Sequence, residues 1–159
     1  MASSNLYTIG YEGASIGAFV ERLRDAAVDA IVDVRELPLS RKRGFSKHVL
    51  ADRLRDAGIG YLHMRGLGCP RPIRTRYRND GSWSRYTRDF LAHLAIQREP
   101  LESLVAVSRD RVCCLLCFEA DFNACHRTYV ARAAHDAGAP PVVHLRVGAA
   151  SRPDVNLVT

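Results

Sequence analysis

Residues 115–127 read LLCFEADFNACHR and gather Cys117, Glu119, Cys125, His126 and Arg127 into one short stretch. A thiolate is a nucleophile or a metal ligand, and a thiol ionises most readily beside cations or at a helix start. Cys125 is followed directly by His126 and Arg127, which favour a thiolate, while Glu119 and Asp121 oppose one. The alternative is a half-buried cysteine that only packs. Cys117 can approach Cys125 across the intervening turn as a dithiol or as two metal ligands. The C-x7-C-H spacing is not a usual zinc pattern, however, and there is no second CxxC pair, so no metal is assigned. The C-x5-R signature of cysteine phosphatases also fails, because position 123 is Asn and position 131 is Ala.

Two carboxylates, Glu12 and Glu119, follow expected strand ends and can serve as general base and acid, since like charges in one crevice push their pKa values apart. Ion pairing with Arg35, Arg41 or Arg127 is the plainer alternative. Arg35, Arg41, Lys47 and Arg127 suit a phosphate, whose oxygens a guanidinium binds bidentately. His126 can orient a partner or shuttle protons, or it can bond to the backbone, and His63 ends the third expected strand within reach of the same rim. Seven arginines, Arg74 and Arg76 among them, lie between positions 65 and 88, interleaved with Tyr77, Trp83 and Tyr86. Rings among cations can stack bases while the charges hold phosphates, a pattern that Tyr11 extends. Neither GxGxxG nor GxxxxGK[ST] occurs, which argues against ordinary dinucleotide or P-loop chemistry.

The elements that must position these residues follow from periodicity. The apolar run 112–118 has the length and composition of a strand buried on both faces, and residues 124–137 carry helical spacing ended by Gly138. That helix is expected to hold Cys125, His126 and Arg127 in its first turn, where unpaired N–H groups favour anions. Upstream, residues 6–10, 30–34 and 59–63 read as strands. Between them lie helices over 16–27, capped by Ser15, and 47–57, capped by Ser46, with Val49, Leu50 and Leu54 facing the core. Residues 64–82 are rich in Gly and Pro and are expected to form a long loop. Helices from Trp83 to Gln97 and from Pro100 to Val107 follow, and a strand over 142–147 completes the alternation. This predicts a single α/β domain over 1–147 with a five-stranded, mostly parallel sheet in the order 3-2-1-4-5, helices on both faces, and a loose tail over 148–159. In that order Glu12, Arg35, Cys117, Glu119 and Cys125 converge on one crevice.

The segments TIGYEG at 8–13, DVR at 33–35, SRKRGFSK at 40–47, GIGYLH at 58–63 and LLCFEADFNACHR resemble the family catalogued as domain of unknown function 488. The resemblance runs in order from about residue 6 to 147. It implies a Rossmann-like α/β domain and a link to DNA-repair or base-processing partners, without a settled reaction.

Composition narrows the classes. An apolar fraction of 47% and a charged fraction of 25% are those of a globular domain, and a net charge of +6 favours an anionic substrate or nucleic acid. No apolar run is long enough to span a membrane, and the start MASSNLY lacks the pattern of a signal peptide, so a cytoplasmic chain is expected. Five cysteines, three of them in one apolar strand, do not read as a disulfide framework. The reading that emerges is an enzyme for a nucleotide, nucleic-acid base or other phosphorylated anion. Its catalytic candidates are Glu12, Glu119, Cys125 and His126, with Tyr11, Cys117 and His63 around them, and no cofactor is indicated. A non-catalytic nucleic-acid-binding module and a cysteine-based redox or metal sensor are the alternatives.

Overall fold

A computed structural model describes residues 5–148 and 155–157. Strands β1 (Leu6–Gly10), β2 (Ala30–Asp33), β3 (Gly60–His63), β4 (Cys113–Cys117) and β5 (Val142–Leu145) form a parallel sheet, and β6 (Val155–Leu157) adds an antiparallel edge on β5. The order is β3-β2-β4-β1-β5-β6. As expected, β4 lies beside β1, but it also separates β1 from β2, which differs from the order 3-2-1-4-5. β6 falls within the expected tail, of which residues 149–154 and 158–159 lie outside the described residues.

Strand alternation divides the core into two layers. Leu6, Ala30, Val32, Cys113 and Leu115 face one layer, where Phe90, Leu104, Val130 and Ala134 cover them. Ile9, Ile31, Cys114 and Leu116 face the other, covered by Phe19, Leu23, Leu50 and Leu54. The helices supplying these side chains are α1 (Ile16–Asp25) and α2 (Lys47–Asp56) on one side, and α4 (Trp83–Ala95), α5 (Arg98–Asp110) and α6 (Arg127–Asp136) on the other. Because β4 is central, all five of its residues are buried, which accounts for the unbroken apolar run CCLLC.

Several local expectations need correction. Ser15 Oγ caps α1 by accepting from Ala18 N, but Ser46 does not cap α2. Its hydroxyl instead accepts from Ser40 N at 3.0 Å and donates to Ser40 O at 3.2 Å, closing the 40–46 loop. Val49 is 57% exposed, because only Leu50 and Leu54 fall on the buried stripe of α2. The stretch expected as a loop contains a 3₁₀ turn at Arg65–Leu67 and helix α3 (Arg71–Asp80). Its breakers sit at the helix ends: Pro70 is the N-cap and Pro72 lies in the first turn, where no N–H is needed, and Gly81 ends the helix at φ 63°. α3 has no fully buried residue, and its apolar face is only Ile73, packed partly on the core, and Tyr77, too short a stripe for periodicity to mark. Finally, Cys125 is not in the first turn of α6. Its backbone is extended, after a 3₁₀ turn at Phe122–Ala124, and His126 takes the N-cap position.

Candidate active site

The first residues beyond β1, β2 and β4 open onto a cleft of about 790 Å³. Tyr11, Arg35, Cys117, Phe118 and Glu119 come from these strand ends, Arg41 from the loop before α2, Cys69 from the segment before α3, Arg74, Tyr77 and Arg78 from α3, and Trp83 and Tyr86 from α4. His126 completes the floor. Gly10 permits this convergence: a Cβ there would stand 1.7 Å from the carbonyl oxygen of Glu119, so only glycine lets the two strand ends approach. Gly68 does the same on the opposite wall, where a Cβ would meet Glu36 N at 2.3 Å.

At the floor, one donor atom from each of Cys117, Cys125 and His126 lies within 4.8 Å of the other two, and all three residues are buried. Cys117 Sγ is 3.7 Å from His126 Nδ1 and 3.4 Å from Glu119 Oε2. His126 Nε2 is 2.7 Å from the carbonyl oxygen of Val34. A carbonyl only accepts, so Nε2 carries a proton and Nδ1 faces the sulfurs. Burial opposes a charge on Cys125, but the hydrogen bonds from Cys117 and His126 and the charges of His126 and Arg127 outweigh it and lower its pKa well below the ordinary range. Cys117 is raised, chiefly by its hydrogen bond to Cys125 and then by burial. Glu119 is raised by burial and by the Cys125 charge, and His126 is raised because its bond to Cys125 and that charge overcome burial.

Arg127 lies beneath this floor and is fully buried. Its guanidinium donates to Thr8 Oγ1 at 3.1 Å, Glu119 O at 2.5 Å and Ala120 O at 3.4 Å, all neutral oxygens. It ties the end of β4 to β1 and leaves its charge inside the site. Thr8 Oγ1 is also hydrogen-bonded to His144 Nδ1. Arg35 forms the second buried cation: Nε and Nη2 donate to the Asp33 carboxylate at 2.9 and 2.8 Å, and Nη1 donates to Phe45 O at 2.7 Å and to the Tyr11 hydroxyl at 3.3 Å. Burial opposes its charge, and Asp33 more than offsets that, so Arg35 stays protonated. Tyr61 donates to Oδ2 of the same carboxylate at 2.5 Å, the oxygen that also accepts from Arg35 Nη2.

The candidate residues thus separate. Tyr11, Arg35, Arg41, Arg74, Cys117, Glu119 and His126 line one cleft, with Cys125 and Arg127 directly under it. Glu12 does not line it; its carboxylate accepts from Ala120 N at 3.0 Å, which leaves Glu119 as the catalytic-candidate carboxylate inside. His63 sits behind Arg35, donating from Nε2 to the Arg35 carbonyl at 2.8 Å. Lys47 begins α2, its N–H bonded to Pro38 O. Arg76 pairs with Asp89 at 3.4 Å and lines a separate shallow hollow with Arg71 and Arg85. Arg74 pairs with Glu36 at 2.8 Å on the cleft wall.

Sequence reasoning missed Asp33, Thr8, His144 and Cys69. Asp33 was legible only as the end of a strand, and nothing local marks Cys69, whose thiol is hydrogen-bonded to Tyr86 and pushed up to about 11, chiefly by burial. A signal for Asp33 does exist: an acid ending a wholly apolar strand, two residues before an arginine, is the spacing that closes a bidentate pair around a turn.

Fold and site together define a parallel α/β domain with a cysteine–histidine floor at the carboxyl ends of its central strands. The chain belongs to the family Domain of unknown function DUF488, whose model matches residues 15–134. No curated protein and no solved structure matches it.

Proposed function

We propose that this protein is an enzyme acting on a nucleotide, a nucleic-acid base or a comparable phosphorylated anion. The observation that carries the reading is the composition of one cleft. Cationic Arg41, Arg74 and Arg78 occupy the same walls as the rings of Tyr11, Tyr77 and Trp83, above Cys117, Glu119 and His126. Guanidinium groups suit phosphate oxygens, rings suit the face of a base, and the floor offers a carboxylate, an imidazole and a sulfur for proton transfer or covalent chemistry. A ligand with an anionic end and a planar end satisfies all three parts.

Trp83, the chain's one tryptophan, reports on this cleft. Its fluorescence should change saturably on titration with a nucleoside monophosphate, and Arg41→Ala and Arg78→Ala should each weaken that binding by about 10-fold or more, the worth of a charge-assisted hydrogen bond. No response to any mononucleotide or to a free base overturns the reading.

A second reading, a nucleic-acid-binding module, draws on α3, which carries Arg71, Arg74, Arg76 and Arg78 and has no fully buried residue. It requires affinity for an oligonucleotide that falls steeply with salt and is weakened by Arg76→Ala, which lies outside the cleft.

A further inference from the structure

We propose that Cys117 Sγ, Cys125 Sγ and His126 Nδ1 bind one thiophilic divalent cation, of which zinc is the natural example, at the floor of the cleft. The proposal stands independently of the nucleotide reading.

Geometry comes first. The three donors lie within 4.8 Å of one another, and Cys117 Sγ is 3.7 Å from His126 Nδ1. Four-coordinate zinc, with Zn–S of about 2.3 Å and Zn–N of about 2.0–2.1 Å, separates a sulfur and a nitrogen ligand by about 3.6 Å. Closing on the ion thus requires only small side-chain shifts. The histidine is already oriented: with Nε2–H donated to Val34 O, Nδ1 faces the sulfurs and would release its proton as the ion binds, and the outer hydrogen bond fixes the imidazole as it does in metal-binding histidines.

Donor chemistry then selects the ion. Two sulfurs and an imidazole suit zinc and other borderline or soft ions, and they discriminate against magnesium and calcium, which prefer oxygen. Charge also fits. Two thiolates neutralise a divalent cation, and an anionic fourth ligand would give the complex one negative charge. Arg127, fully buried and held by three neutral oxygens, lies directly beneath to compensate it. Glu119 Oε2, 3.4 Å from Cys117 Sγ, stands on the cleft side, where it can fill the fourth corner or accept a proton from a water bound there.

The spacing concealed this set. Zinc knuckles take both sulfurs from one tight turn. Here one sulfur ends a strand and the other precedes a helix, and the 118–124 turn folds back to bring them together.

The test uses the full chain, purified with reductant, stripped with chelator and then given zinc or cobalt(II). One equivalent of zinc by elemental analysis is expected, together with a near-ultraviolet sulfur-to-cobalt charge-transfer band on cobalt addition. Cys117→Ser, Cys125→Ser and His126→Asn should each lower affinity by about 10–100-fold. Should those variants misfold, the unsubstituted chain still decides: zinc should shield two of its five cysteines from a thiol reagent, and chelator should expose them again. Absence of stoichiometric zinc and cobalt uptake by the folded chain overturns the proposal, as does thiol reactivity that zinc leaves unchanged. A chain that takes up zinc but gives no Trp83 response to nucleotides refutes the nucleotide reading alone, and the converse result refutes the metal centre alone.

Discussion

His126 donates from Nε2 to the main-chain oxygen of Val34 at 2.7 Å, joining the start of α6 to the end of β2 across β4. One carbonyl further on, His63 donates to Arg35 O at 2.8 Å. Consecutive peptide oxygens after β2 are therefore held by imidazoles from opposite sides, and the turn that aims Arg35 is fixed through its backbone.

The Asp33–Arg35 pair is a buried ion pair beside the cleft. Both side chains are buried, and the carboxylate also serves Tyr61. Asp33→Ala leaves an uncompensated cation inside the domain and should cost about 3–5 kcal/mol in urea unfolding. Tyr61→Phe, which removes one donor and keeps the pair, should cost only about 1 kcal/mol.

Two glycines give opposite outcomes. Gly17 lies in α1 with open space at its Cβ position, and Gly17→Ala should stabilise the domain by about 0.5–1 kcal/mol through helix propensity. Gly10→Ala places a methyl 1.7 Å from Glu119 O, and the strand end must move. Thermal unfolding should rank the variants Gly17→Ala, then the natural chain, then Gly10→Ala, and the Gly10 variant should also displace Glu119 from the cleft.

His144 makes stability depend on pH. Burial, reinforced by the Arg127 charge, lowers it from 6.5 to about 4, and its ring stacks on Phe122 at 4.1 Å. The unfolded chain binds a proton there that the folded chain refuses. Its contribution is complete above about pH 6.5 and is lost as the pH falls toward about 4. Denaturation midpoints measured across that window should decline with acid, and His144→Asn, which keeps a hydrogen-bonding atom for Thr8, should flatten the decline by one proton's worth.

Much of the scaffold was legible because its residues are chosen by burial. β1, β2 and β4 announce themselves as apolar runs, and the stripe Phe19, Val20 and Leu23 marks α1. α3 was not legible, since a helix whose apolar face is only Ile73 and Tyr77 leaves too little period to read. Strand order was only half legible, because which neighbours flank β4 is decided by packing between distant segments. In the cleft, Arg35, Cys117, Glu119 and His126 could be named from their places after strands or before a helix. Cys69 could not, for it is delivered by a 3₁₀ turn that no local pattern encodes.

The central place of β4 bears on how the domain is made. β1 and β2 do not pair with each other; each pairs with β4, whose residues come some eighty positions after β2. A nascent chain emerging from the ribosome therefore holds a parallel β2–α2–β3 unit and a lone β1 until residue 117 is free, and only then can the halves join. The strand that joins the two halves is also the one that ends at Cys117, so joining them and carrying the first sulfur to the cleft become a single late event.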